Sequence, residues 1–167
     1  PDIAEVVASL QVEEPDGILL QEVRKPQVAE LARRAGLRFT WAKKHSPYTR
    51  FLPQFAEGLA ILTPHALGAA GHTEISDGER PSSWKRRIAQ WALVVQPDGA
   101  AVRAYNAHLS PHDDGTHKRR AEAVRLADVI AEHGALDEVV VGGDFNDDRY
   151  STVIYALPGL EHLPALP

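Results

Sequence analysis

The sequence predicts an α/β protein built on a mixed sheet, and three observations lead there. Apolar residues recur at helical spacing in three segments, which alternate with short, continuously apolar runs of strand character. One pair of such runs closes on a turn signal as a hairpin, whereas other runs are joined by helical crossovers. No repeat, low-complexity tract or Ser/Gly-rich linker divides the 167 residues, so 1–167 is read as one domain.

In chain order, Ile3, Val6, Val7 and Leu10 share one helical face, and Pro15-Asp16-Gly17 punctuates before the buried-strand run Ile18-Leu19-Leu20. Val28, Leu31, Ala32 and Ala35 repeat the helical stripe, Gly36 suits the position after a last turn, and Leu37 to Trp41 reads as a short strand. A polar stretch from Lys43 to Ala56, carrying Ser46-Pro47 and Leu52-Pro53, is expected to be a loop before strand Gly58–Leu62. Residues 77–84 form a second loop. Ile88–Val95 and Val102–Leu109 flank Pro97-Asp98-Gly99 as a hairpin. Ala123, Val124, Ala127, Ile130 and Ala131 give the clearest helical stripe, ended by Gly134, and strand Val139–Val141 runs into a glycine-rich turn at Gly142-Gly143.

Composition, 44% hydrophobic and 25% charged, is that of a globular protein, and no apolar run approaches the roughly 20 residues of a membrane span. A formal charge of −5 disfavours nucleic acid as a partner without excluding it. The absence of cysteine excludes disulfides and thiolate-bound zinc, and leaves the compartment open.

Polar residues able to do chemistry stand where apolar strands begin or end. Glu22 follows Ile18–Leu20, Glu57 precedes Gly58–Leu62, His108 follows Val102–Tyr105, and Asp144 and Asn146 follow Val139–Val141. Strand ends meet at a sheet rim, where open α/β folds build their sites. Two carboxylates, an imidazole and an amide suit attack of water on a phosphate ester. A hard cation such as Mg²⁺ takes oxygen ligands and keeps several waters, so one or two protein carboxylates can hold it, and Glu22 is the best candidate. In this reading Asp144 orients or deprotonates the water, Asn146 and His108 donate to phosphoryl oxygens, and Glu57 is expected to pair with His108 and fix its tautomer.

Four pieces in order, Asp16-Gly-Ile-Leu-Leu-Gln-Glu22, Glu57-Gly-Leu-Ala-Ile-Leu62, Tyr105-Asn-Ala-His-Leu-Ser110 and Gly142-Gly-Asp-Phe-Asn146, resemble the endonuclease/exonuclease/phosphatase superfamily across nearly the whole chain. The resemblance implies a four-layer α/β sandwich of two mixed sheets with outer helices. It also implies a Mg²⁺ or Mn²⁺ site with Glu22 as metal ligand, Glu57, His108, Asp144 and Asn146 as catalytic residues, and Asn106 as a substrate-binding position. The family's opening strand, ending in asparagine, and its closing Asp-His are not found, so the domain is expected to lack the first and last core strands and to fold poorly alone. The function expected is hydrolysis of phosphate esters, most favourably diesters; the alternatives are a phosphomonoesterase for small or lipid-linked phosphates and a noncatalytic partner-binding domain.

Other patterns receive plainer readings. Asp144-x-Asn146-x-Asp148 imitates a calcium loop, but Arg149 and Tyr155 stand where glycine and glutamate belong. His108, His112 and His117 are read as a solvated cluster rather than a zinc site, and Lys85-Arg86-Arg87 as a solvated strand edge. Arg119-Arg120 opposes the dipole of the long helix and is expected to find Asp113 or Asp114 as counter-ion.

Overall fold

The structure, a computed structural model, describes residues 2–45, 55–77, 86–134, 138–147 and 157. Helix α1 (Ile3–Glu13) starts at Asp2, whose carboxylate accepts the Ala4 amide at 3.0 Å, and turns its apolar face onto helix α2 (Lys25–Ala35). Pro26 opens α2, and Gly36, at φ +70°, closes it with Leu37 N–H donating to the Ala32 carbonyl. Strands β1 (Ile18–Arg24), β3 (Glu57–Thr63) and β2 (Arg38–His45) form, in that spatial order, an antiparallel three-stranded sheet. The second sheet runs β4 (Ala66–Glu74), β5 (Ile88–Val95), β6 (Ala101–His108) and β7 (Glu138–Asp144). It is antiparallel except for the parallel β6–β7 pair, which helix α3 (Thr116–Glu132) joins as a crossover.

Alternation along the strands sorts the apolar clusters into three levels and so creates four layers. Ala60 and Leu62 of β3 meet Val28, Leu31 and Ala32 of α2 on the outer face of sheet one. Ile61, pointing the other way, meets Ala92, Val94 and Ala104 between the sheets. Tyr105 and Ala107 pack on Ala123, Leu126 and Val129 of α3 on the outer face of sheet two. The α/β sandwich implied by the resemblance is therefore the architecture, with the first sheet antiparallel rather than mixed among the described residues.

Three departures from sequence expectation matter for the site. Strand β4 was not foreseen because Ala-Leu-Gly-Ala-Ala-Gly has neither alternation nor β-branched residues; as an edge strand it needs only one neighbour, and Gly71 leaves room for the Trp91 ring. Strand β2 continues through Lys43, Lys44 and His45, where the polar sequence predicts a loop. Gly142 and Gly143 are strand residues paired with Asn106 and Ala107, so the turn begins only after Asp144. The expected loops are described in part, since 46–54 and 78–85 lie outside the described residues.

Candidate active site

Register sets which side chains share a rim. Arg24 and His45 both pair with Glu57, while His108 pairs with Asp144, so the ends of β1, β2, β6 and β7 meet the starts of β3 and β5. The rims of the two sheets touch where His108 lies between two carboxylates: Nδ1 is 3.9 Å from Glu22 and Nε2 is 3.9 Å from Asp144. Both separations exceed hydrogen-bond length.

Irregular backbone aims these groups. Between Leu20 and Val23, β1 spends one residue more than β3, a bulge in which Glu22 takes φ +54° and turns an exposed carboxylate to the rim. A left-handed glutamate costs about 1–2 kcal/mol, a cost that clusters where geometry serves function. Strand β2 bulges on the opposite flank of β3 between Lys43 and His45, and there Lys44 lies buried. On the other sheet Gly143, at φ +134°, brings β7 so close to the Ala107 carbonyl that no Cβ fits. Past Asp144, Asn146 also turns left-handed, at φ +51°; its N–H donates to Asp144 Oδ1 at 2.9 Å and its side-chain amide donates to the Leu109 carbonyl at 3.0 Å.

Electrostatics follow from burial. His108 is held down to about 4, chiefly by burial and then by Lys44 and Arg87, against the opposing pull of Asp144 and Glu22. The imidazole is thus neutral near pH 7, a hydrogen-bond donor and acceptor rather than an acid. Burial likewise pushes Lys44 down to about 8 and depresses Arg87, two cations placed within the field of Glu22. Behind them Glu122, buried and pushed upward by that burial, accepts the Ser110 hydroxyl at 2.6 Å and the Ser110 N–H at 2.8 Å.

The structure gathers Glu22, His108, Asp144 and Asn146 at one rim. Four expectations are corrected. Glu57 does not pair with His108; its carboxylate is 3.5 Å from His45 Nε2, because both lie on the same rung of sheet one. Asn106 is no rim residue: at 0% exposure it lies between the sheets, with both amide hydrogens given to the Leu20 and Ala60 carbonyls at 3.0 and 2.9 Å. Arg87 is buried rather than a solvated edge, and Arg119 finds Asp147 at 3.2 Å rather than Asp113 or Asp114. Lys44, Glu122 and Asp147 escaped sequence reasoning. A lysine in a polar run and a glutamate beside a helical stripe look solvated until the bulge or the packing partner is known.

Matching against family models covers residues 1–161 with the Endonuclease/Exonuclease/phosphatase family. The chain belongs to that family. Its fold is similar to that of a mannosyl-6-phosphatase from Bacteroides thetaiotaomicron, with a TM-score of 0.77 and 18% identity over 93% of this chain and 60% of that one. The human Nocturnin catalytic domain with bound sulfate gives 0.73 and 18% over 92% and 59%, and truncated TDP2 of Caenorhabditis elegans 0.66 and 19% over 88% and 56%. At such identities the likeness is one of fold, and the chain spans about three-fifths of the length of these structures. No curated protein sequence matches it.

A cation asks little more of this rim. Among the described residues no three His, Asp or Glu side chains form a cage. An ion that keeps most of its waters needs only one or two carboxylates; Glu22 and Asp144 are the exposed carboxylates beside His108 that could supply them. Among the described residues no helix is long and apolar enough to cross a membrane.

Proposed function

We propose that this domain hydrolyses phosphate esters, most favourably phosphodiesters, by direct attack of water, with Mg²⁺ or Mn²⁺ held through Glu22. The observation that carries the reading is His108 set between Glu22 and Asp144 at 3.9 Å from each, where the two sheet rims meet. The cation, when bound, polarises the phosphoryl group and offsets charge on the leaving oxygen. Asp144, its Oδ1 tied by the Asn146 amide, keeps its other oxygen to orient the attacking water. Neutral His108 donates a hydrogen bond to a non-bridging oxygen, and Asn146 retains one amide hydrogen for another. Lys44 and Arg87 add positive potential behind the site. Family membership and the fold shared with a phosphatase support the same chemistry.

A phosphomonoesterase is the second reading, favoured by those two buried cations, since a monoester dianion carries one charge more than a diester. Hydrolysis of bis(p-nitrophenyl) phosphate and of p-nitrophenyl phosphate by the intact protein separates the two. Mg²⁺-dependent turnover is expected, reduced by about 10²–10⁴ in Asp144→Ala. No metal-dependent turnover on either ester would refute the hydrolase reading; turnover confined to the monoester would select the second.

A further inference from the structure

We propose that Asn106, buried in the seam between the sheets, is a positioning residue that sets the β1 bulge and through it the carboxylate of Glu22. This rests on the reading of Glu22 as the cation's ligand. Asn106 belongs to β6 of sheet two, yet its amide donates to the carbonyls of Leu20 and Ala60 in sheet one, at 3.0 and 2.9 Å. Those two residues are partners across β1 and β3, and theirs is the last rung before the register slips. The extra residue of the bulge lies between Leu20 and Val23, where Gln21 is tied as well: its Nε2 donates to Asn106 Oδ1 at 2.8 Å and to the Leu19 carbonyl at 3.2 Å. Glu22 follows at once, in its left-handed conformation. One fully buried amide therefore pins both strands of sheet one at the rung from which Glu22 departs.

Apolar Ile61, Ala92, Val94 and Ala104 fill the seam between the sheets, and Asn106 shares it with the fully buried Gln90, its partner across β5 and β6, whose Oε1 lies 3.5 Å from the Asn106 amide. A polar group buried there is costly unless all its bonds are made, and Asn106 makes them to backbone and to Gln21 rather than to the rim. Asn106 also lies two residues before His108 on the same strand. The same side chain thus fixes the sheet-two strand that carries the imidazole and the sheet-one bulge that carries the carboxylate, and holds their separation at 3.9 Å. Supporting contacts of this kind make a ligand set stiff enough to bind a cation well.

The test is Mn²⁺ binding by the intact protein without substrate, followed by calorimetry and by the electron paramagnetic resonance of the free ion. Asn106→Leu keeps the volume and removes the hydrogen bonds; Gln21→Met, at the half-buried end of the network, is the second variant should Asn106→Leu melt without cooperativity. Folded Asn106→Leu is expected to weaken Mn²⁺ by roughly ten- to hundredfold, and Gln21→Met by less in the same direction. Because Asn106 acts through Glu22, the losses of Asn106→Leu and Glu22→Gln are expected to be strongly non-additive. Unchanged affinity in folded variants, or strictly additive losses, overturns the inference alone. A wild-type protein that takes up no Mn²⁺ overturns the cation reading and this inference with it.

Discussion

Adjacent glycines of β7 should respond differently to the same methyl group. At Gly143, a Cβ would overlap the Ala107 carbonyl oxygen and stand 2.9 Å from the Ala107 nitrogen and carbonyl carbon, all backbone atoms, at a φ of +134°. The dihedral strain alone is about 1–3 kcal/mol. Relief requires β6 and β7 to separate at the Ala107–Gly143 rung, which weakens a ladder hydrogen bond by about 1 kcal/mol. Gly143→Ala is thus expected to cost about 3 kcal/mol, or roughly 6–12 °C in melting temperature for a domain of this size. The next rung is His108–Asp144, so the same displacement moves the carboxylate off the imidazole, and an error near 1 Å costs about a hundredfold in rate. Gly142→Ala is the control: its Cβ would meet only the Leu19 Cδ1 tip at 2.6 Å, a side chain that can rotate, for about 1 kcal/mol. Calorimetric melts and phosphoesterase rates on both variants decide the matter. If Gly143→Ala melts within about 2 °C of Gly142→Ala and turns over equally well, the close approach of β7 to β6 does not hold the site.

Two further perturbations have definite signs. Lys44 has a folded pKa of about 8, below its unfolded value near 10.5, so the native state binds fewer protons between those values and stability rises with pH across that window. Below pH 8 both states are protonated and the penalty is complete, so Lys44→Met should stabilise the fold at pH 7 by up to about 3 kcal/mol while lowering phosphate-ester turnover. Urea titrations at pH 7 and pH 10 that give the variant the same advantage at both would contradict this. Arg119 and Asp147, with side chains 1% and 8% exposed and 3.2 Å apart, tie α3 to the segment after Asn146. Asp147→Ala takes one partner from a guanidinium that also donates to the Pro111 carbonyl and the Thr116 hydroxyl, and should cost about 1.5–3 kcal/mol by urea unfolding; a loss below about 0.5 kcal/mol would show the contact to be dispensable.

Much of the candidate rim is legible in the sequence because strand ends are legible. Apolar runs at Ile18, Gly58, Val102 and Val139 mark where strands lie, and the polar residue at each end then falls on a rim by topology. What a run cannot show is the side-chain partner. Glu57 and His108 both flank strands, yet they belong to different sheets, and the β2 extension to His45 that captures Glu57 is written in residues as polar as a loop. Asn106 was misplaced for a related reason. An asparagine two positions before His108 points to the same side of β6, and whether it reaches solvent depends on how deep the opposing sheet stands, which only Leu20 and Ala60 in three dimensions reveal.

The costs in this fold are concentrated rather than scattered, and that concentration is itself an argument about function. The cores of α2 and β3 obey simple rules and bury the residues their periodicities predict, whereas on α3 the expected Val124 and Ala131 are exposed and Leu126 and Val129 are buried instead. At the rim, by contrast, Glu22 and Asn146 hold left-handed backbone, Lys44 and Arg87 are buried as cations, and His108 Nδ1 is buried without a hydrogen bond. Each violation alone has a structural explanation, but together they cluster where the rims of the two sheets meet. Substituting any of them toward a locally better residue should raise stability and lower turnover, and such opposed effects separate a working site from a decayed one. A fold that had lost its chemistry would have no reason to keep them.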